Sequence, residues 1–116
     1  MGDRALVVFH SADKSETSPT IYLHWLGSDV PALITELASV MKGREDDVSY
    51  TAARFCALAC GKHSGNSGVG LYDTQDDILT NAKAYTHGDA GVVLVDAKTF
   101  EWTAFGGYLA KSGEAA

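Results

Sequence analysis

The chain has 116 residues, with nine Lys and Arg against fifteen Asp and Glu for a formal charge of −6; apolar residues make up 46% and charged residues 21%. This is ordinary globular usage, and with only two cysteines it excludes a disordered, a collagen-like or a disulfide-dense chain, as well as a strongly basic nucleic-acid binder. The longest apolar runs, such as Gly91-Val92-Val93-Leu94-Val95, stop far short of the roughly 18 residues that a membrane-spanning helix needs.

Ala5–His10 is a continuous apolar run of strand length, rich in β-branched residues. It follows Met1-Gly2-Asp3-Arg4 with no signal-peptide pattern. A polar stretch leads to a second strand over residues 20–26, opened by Pro19 and closed by Gly27, and an antiparallel hairpin is the expected link. A helix follows. Ser28 or Asp29 can cap it, Pro31 sits in its first turn, and Val30, Ile34, Leu37 and Met41 form a stripe broadened by Leu33 and Val40. Gly43 suits the position just past its end. A second helix is expected to start at a cap on Asp47 or Ser49, to bury Ala52, Phe55, Cys56 and Ala59, and to end at Gly61. Cys56 and Cys60 stack one turn apart, too divergent for an unstrained disulfide. Two thiols in this setting point to a reducing compartment, so a cytoplasmic protein is expected, the cytoplasm of a host cell included.

Residues 62–70 are rich in Gly and Ser and read as a loop, followed by a short strand, Val69–Tyr72. A turn at 73–77 leads to a weak helix over 78–85, with Thr74 as its cap, which His87-Gly88-Asp89 breaks. Gly91–Asp96 is apolar on both faces and therefore interior to a sheet. In residues 99–105, Phe100, Trp102 and Ala104 alternate with Glu101 and Thr103, forming a half-exposed strand that Gly106-Gly107 stops. The order β-β-α-α-β-(α)-β-β predicts a single α+β domain over residues 1–116. Its core is a mainly antiparallel sheet of four or five strands with the two main helices on one face.

Few residues carry a chemical signature. His87 with Asp89 could act as an oriented general base, and Ser64 in the Gly-rich loop 64–68 is the nucleophile such an enzyme would use. No strand or G-x-S-x-G elbow supports that serine. A plainer view is that Gly88 permits a turn and Asp89 bonds local backbone N–H groups. Cys56, Cys60 and His63 lack the fourth ligand of a closed zinc site and read as core packing, so neither metal nor cofactor is expected. Gly61-Lys62-His63-Ser64 lacks the sequence and context of a phosphate loop, and Asp73, Asp76 and Asp77 lack the spacing of a calcium loop. His10 and His24 fall in strands expected to pair, which would let them face each other. Phe9, Trp25, Phe55, Phe100 and Trp102 fit core positions, while Tyr22, Tyr72, Tyr85 and Tyr108 suit a surface patch.

Two acidic runs remain. Glu45, Asp46 and Asp47 join the helices, and Asp73, Asp76 and Asp77 follow Tyr72 in a stretch without Lys or Arg from His63 to Asn81. Such surfaces repel phosphate and attract basic partners. The leading expectation is therefore a non-enzymatic, acidic protein-binding module. It would dock through Tyr72, Asp73, Asp76, Asp77, Glu45, Asp46 and Asp47 onto a basic surface of a larger protein, with no direct contact to nucleic acid or membrane. A phage- or mobile-element-encoded inhibitor of a host nucleic-acid-handling complex, anti-CRISPR-like, suits the size and charge. Two alternatives stay open: a small hydrolase or ligand-binding enzyme built on His87, Asp89 and Ser64, and a homo-oligomeric accessory protein, such as a homodimer, paired through an edge strand.

Overall fold

The computed structural model describes residues 2–62 and 68–112. Strand β1 (Ala5–His10) is buried along its whole length and lies at the centre of a five-stranded sheet of order β3-β2-β1-β4-β5, where β2 is Thr20–Leu23, β3 Val69–Tyr72, β4 Gly91–Asp96 and β5 Trp102–Phe105. The strand count and the mainly antiparallel character match expectation, because β1–β2, β2–β3 and β4–β5 all pair antiparallel. The sheet is nevertheless mixed: β1 and β4 run parallel over Ala5↔Gly91 to His10↔Asp96. β3 lies antiparallel to β2 and so points the same way as β1. The chain then crosses a sheet face through residues 73–90 before β4 joins the free side of β1. A parallel pairing requires a long crossover of this kind.

Helices α1 (Val30–Val40) and α2 (Val48–Cys60) cover one face, packing Leu33, Leu37 and Phe55 onto Val7, Phe9, Ile21, Leu23 and Val93. Phe9 and Phe55 meet edge to face with ring centroids 5.3 Å apart. The other face, formed by Leu6, Val8, Val92 and Leu94, is covered by Ile78 and Ala82 of the crossover. Both faces of the central strands are thus shielded, which explains why β1 and β4 read as unbroken apolar runs.

Local details depart from the sequence reading for identifiable reasons. Asp29 occupies the N-cap position of α1, but its side chain makes no capping bond; a 3-10 turn, Gly27–Asp29, leads into the helix, and the Ser28 N–H donates to Asp3 Oδ2 at 2.9 Å. Val40, placed in the buried stripe by spacing, is exposed. Asp47 caps α2 by accepting from the Tyr50 N–H at 3.1 Å. β2 ends at Leu23 rather than at residue 26, because the chain bends at His24-Trp25 ahead of the 3-10 turn, and Trp25 is left exposed. The helix expected over 78–85 is a turn followed by a 3-10 helix, Ala82–Tyr85. β5 starts only at Trp102, since Asp96 Oδ1 accepts from the Lys98 N–H and Phe100 adopts φ 64° in the turn. Cys56 is half-buried against the core, whereas Cys60 is exposed and does not pack inside. Burial and the neighbouring Cys60 push the Cys56 thiol above its ordinary range, which makes it less nucleophilic.

Candidate functional site

Period-two alternation along β2 sends Ile21 and Leu23 into the helix-side core and leaves Thr20, Tyr22 and His24 on the crossover side. Across the strand pair, Thr20 faces Tyr72 and Tyr22 faces Gly70. The missing side chain at Gly70 leaves open space, and Tyr22 becomes the hub of a row of rings. It meets Tyr72 edge to face at 5.9 Å and His87 at 5.6 Å, and its hydroxyl shares a 2.6 Å hydrogen bond with His24 Nδ1. His24 in turn stands perpendicular to Trp25 at 4.8 Å. Edge-to-face pairs of this type add about 0.5–1.5 kcal/mol each beyond burial, so the rings hold one another in place.

Beside this row, where β3 passes into the crossover, lies a cavity of about 380 Å³. Leu6 and Ile78 supply its apolar floor, and Tyr72, Tyr85 and His87 its walls. Thr20, Asp73 and Gln75 provide polar groups at its edge. The Thr74 hydroxyl ties this edge down, donating to the Ser18 carbonyl at 2.6 Å and lying 2.9 Å from Thr20 Oγ1. The Tyr85 hydroxyl donates to Asp77, which also accepts from Asn81 Nδ2 at 3.3 Å. These two bonds, Tyr85 first, hold the Asp77 carboxyl below the ordinary range. A second, more open concavity of about 400 Å³ runs along Tyr22, His24, Trp25 and Gly68 to Gly70.

The expected site residues separate sharply. Tyr72 is exposed, as are Asp73 and Asp76, whose side chains make no hydrogen bond or ion pair with any described residue. Glu45, Asp46 and Asp47 are engaged instead. Glu45 accepts from the Gly43 N–H at 3.1 Å, Asp46 from the Ala12 N–H at 2.8 Å, and Asp47 from Tyr50 and from Arg44 Nη2 at 2.9 Å. The Arg44 bond, followed by that of Tyr50, lowers the Asp47 carboxyl.

The His87–Asp89 dyad of the enzyme alternative does not form. Asp89 Oδ2 accepts from both the backbone N–H and Nε of Arg4, each at 3.0 Å, while Arg4 Nη2 donates to the His87 carbonyl at 2.9 Å. The backbone bond and then the side-chain bond of Arg4 hold Asp89 below its usual range. Its partner is remote in sequence, not the local N–H groups that turn chemistry suggested; Gly88 at φ 84° does permit the turn. Ser64, His63 and most of the Gly-rich loop 64–68 lie outside the described residues. His10 and His24 do not face each other, because antiparallel register puts them at opposite ends of the hairpin. Among the described residues no group of three or more His, Cys, Asp or Glu is placed to share a metal ion, and no helix is long and apolar enough to cross a membrane.

Nothing in the sequence marks Arg4, Thr20, Gln75 or Leu6 as site residues. The alternation Thr20-Tyr22-His24 is the sequence signal that could have found the ring row; nothing local links Arg4 to Asp89 or Leu6 to Tyr85. Comparison with family models, with curated proteins and with solved structures gives no match.

Proposed function

We propose that this chain is a non-enzymatic acidic protein-binding module that docks on a basic surface of a larger protein through the corner where β3 ends. One observation carries the reading. Tyr72, 57% exposed at the end of an edge strand, runs directly into Asp73 and Asp76, whose carboxylates have no partner among the described residues. An exposed tyrosine next to uncompensated charge has the composition of a docking surface, with area from the ring and steering from the carboxylates. The engagement of Asp89 by Arg4 favours this reading over the enzyme alternative, since it leaves His87 without its orienting carboxylate. If the partner is a nucleic-acid-handling protein, occupation of its basic surface would block it, which is the inhibitory form of the same proposal.

The test is parallel capture of partners by the native chain, by an Asp73→Lys/Asp76→Lys variant and by Asp47→Ala, at low and moderate salt, with proteins identified by mass spectrometry. The proposal expects one stoichiometric basic partner, released as salt rises, lost in the double variant and kept by Asp47→Ala. A partner retained by the charge-reversed variant, or no partner for the native chain, overturns it.

A further inference from the structure

We infer that the cavity walled by Tyr72, Tyr85 and His87 receives the guanidinium of an arginine side chain presented by the partner. This inference rests on the binding-module reading and names the group recognised at that same surface. The cavity volume of about 380 Å³ falls within the roughly 300–1,000 Å³ range of small-ligand sites, ample for one long side chain. Its floor of Leu6 and Ile78 suits an aliphatic stem, and its walls are flat rings. A planar, weakly hydrated cation stacks on such rings and is attracted by their π-faces. The five N–H donors of a guanidinium need several acceptors, and the edge offers the Asp73 carboxylate, the Thr20 hydroxyl and the Gln75 amide oxygen.

Charge selects the cation over a neutral aromatic or aliphatic ligand. Asp73 lies on the lining and Asp76 opens the turn that follows, both without an ion-pair partner among the described residues. Arg4, whose guanidinium also donates to the His87 carbonyl, is already paired with Asp89. The walls are also fixed in advance: Tyr22 packs edge to face against both Tyr72 and His87, and the Tyr85 hydroxyl is tied to Asp77. Pre-organisation of this kind reduces the entropy lost when a flexible arginine is immobilised.

The probe is N-acetyl-arginine amide, titrated into the labelled protein and followed by NMR at the tyrosine and histidine ring signals. N-acetyl-citrulline amide, nearly the same shape without the charge, serves as control. The expected result is saturable shifts confined to Tyr72, Tyr85, His87 and the backbone of 73–75, with citrulline weaker by roughly fivefold or more through loss of the cation–π and carboxylate terms. Asp73→Asn, an exposed change that leaves the fold intact, should weaken arginine binding about two- to fivefold, the scale of an exposed ion pair. Equal binding of citrulline, no shifts, or shifts spread evenly over the acidic surface would overturn the inference. The two proposals fail separately. Charge-dependent partner capture without an arginine response removes only the pocket's ligand, whereas an arginine response in a protein whose partner ignores Asp73 and Asp76 removes the docking surface.

Discussion

Residues 45–47 and 73–77 are both short acidic runs beside a tyrosine, and they do different work. In the first, every carboxylate accepts a hydrogen bond from backbone N–H: Glu45 closes the turn after α1, Asp46 holds Ala12 of the hairpin loop, and Asp47 caps α2 while pairing with Arg44. The guanidinium of Arg44 also lies over the Tyr50 ring, 3.9 Å from its centroid, so aromatic and acid are both answered within the chain. In the second run only Asp77 is engaged, by Tyr85 and Asn81, while Asp73 and Asp76 face solvent next to an exposed Tyr72. Charge count alone does not tell the two runs apart; the difference lies in whether the carboxylates are engaged inside the chain, and the proposed docking surface is the run that is not.

This contrast can be broken or sharpened experimentally. The largest effect sets the scale: Phe55→Ala removes the ring that meets Phe9 under the helix Asp47 caps and should cost about 3–5 kcal/mol in chemical denaturation. Asp47→Ala comes next. Loss of the cap and of the Arg44 pair should lower Tm by roughly 3–8 °C and leave partner binding unchanged. An unaltered Tm would place Asp47 with the idle carboxylates.

Acid should report on the engaged carboxylates. The Asp47 carboxyl is lowered, Arg44 being the main cause, and that of Asp13 is brought to about 2, chiefly by the Ser15 hydroxyl. A folded-state value below the unfolded one of about 3.9 means stability that is fully present above that pH and lost as pH falls through the folded value. Denaturation midpoints should therefore hold steady down to about pH 5 and decline between about pH 4 and 2, and Asp13→Asn or Asp47→Asn should each shrink that decline. A full-sized decline in both variants would contradict the assignment. The smallest effect belongs to Asp73→Asn/Asp76→Asn, a surface change expected to shift Tm by no more than about 2 °C while abolishing salt-sensitive partner binding. A larger drop in Tm would show that these carboxylates also support the fold.

Much of the fold was legible because periodicity reports burial directly. β1 and β4 read as interior strands from unbroken apolar runs, and α1 from Val30, Ile34, Leu37 and Met41, all of which are buried. The parallel β1–β4 pairing was not legible, since it depends on which side of β1 the crossover reaches. The site was legible only in pieces. Tyr72 and Asp73 could be picked out as a surface patch, but the cavity brings them together with Leu6, with Thr20 and with Tyr85 and His87, from four separate stretches of chain. Nor could sequence tell the acidic runs apart. Whether an aspartate is spent depends on a backbone N–H that comes from the next turn, as Tyr50 serves Asp47, or from 34 residues away, as Ala12 serves Asp46.

The most direct measurement is a two-dimensional NMR footprint of a short arginine-rich peptide on the labelled native chain and on Asp73→Asn/Asp76→Asn. Shifts concentrated at residues 71–77 and 85–87, absent at 45–47 and lost in the variant, are the expected result. Equal shifts at both acidic runs, or shifts confined to 45–47, would contradict the claim that unpartnered carboxylates beside β3 define the binding surface.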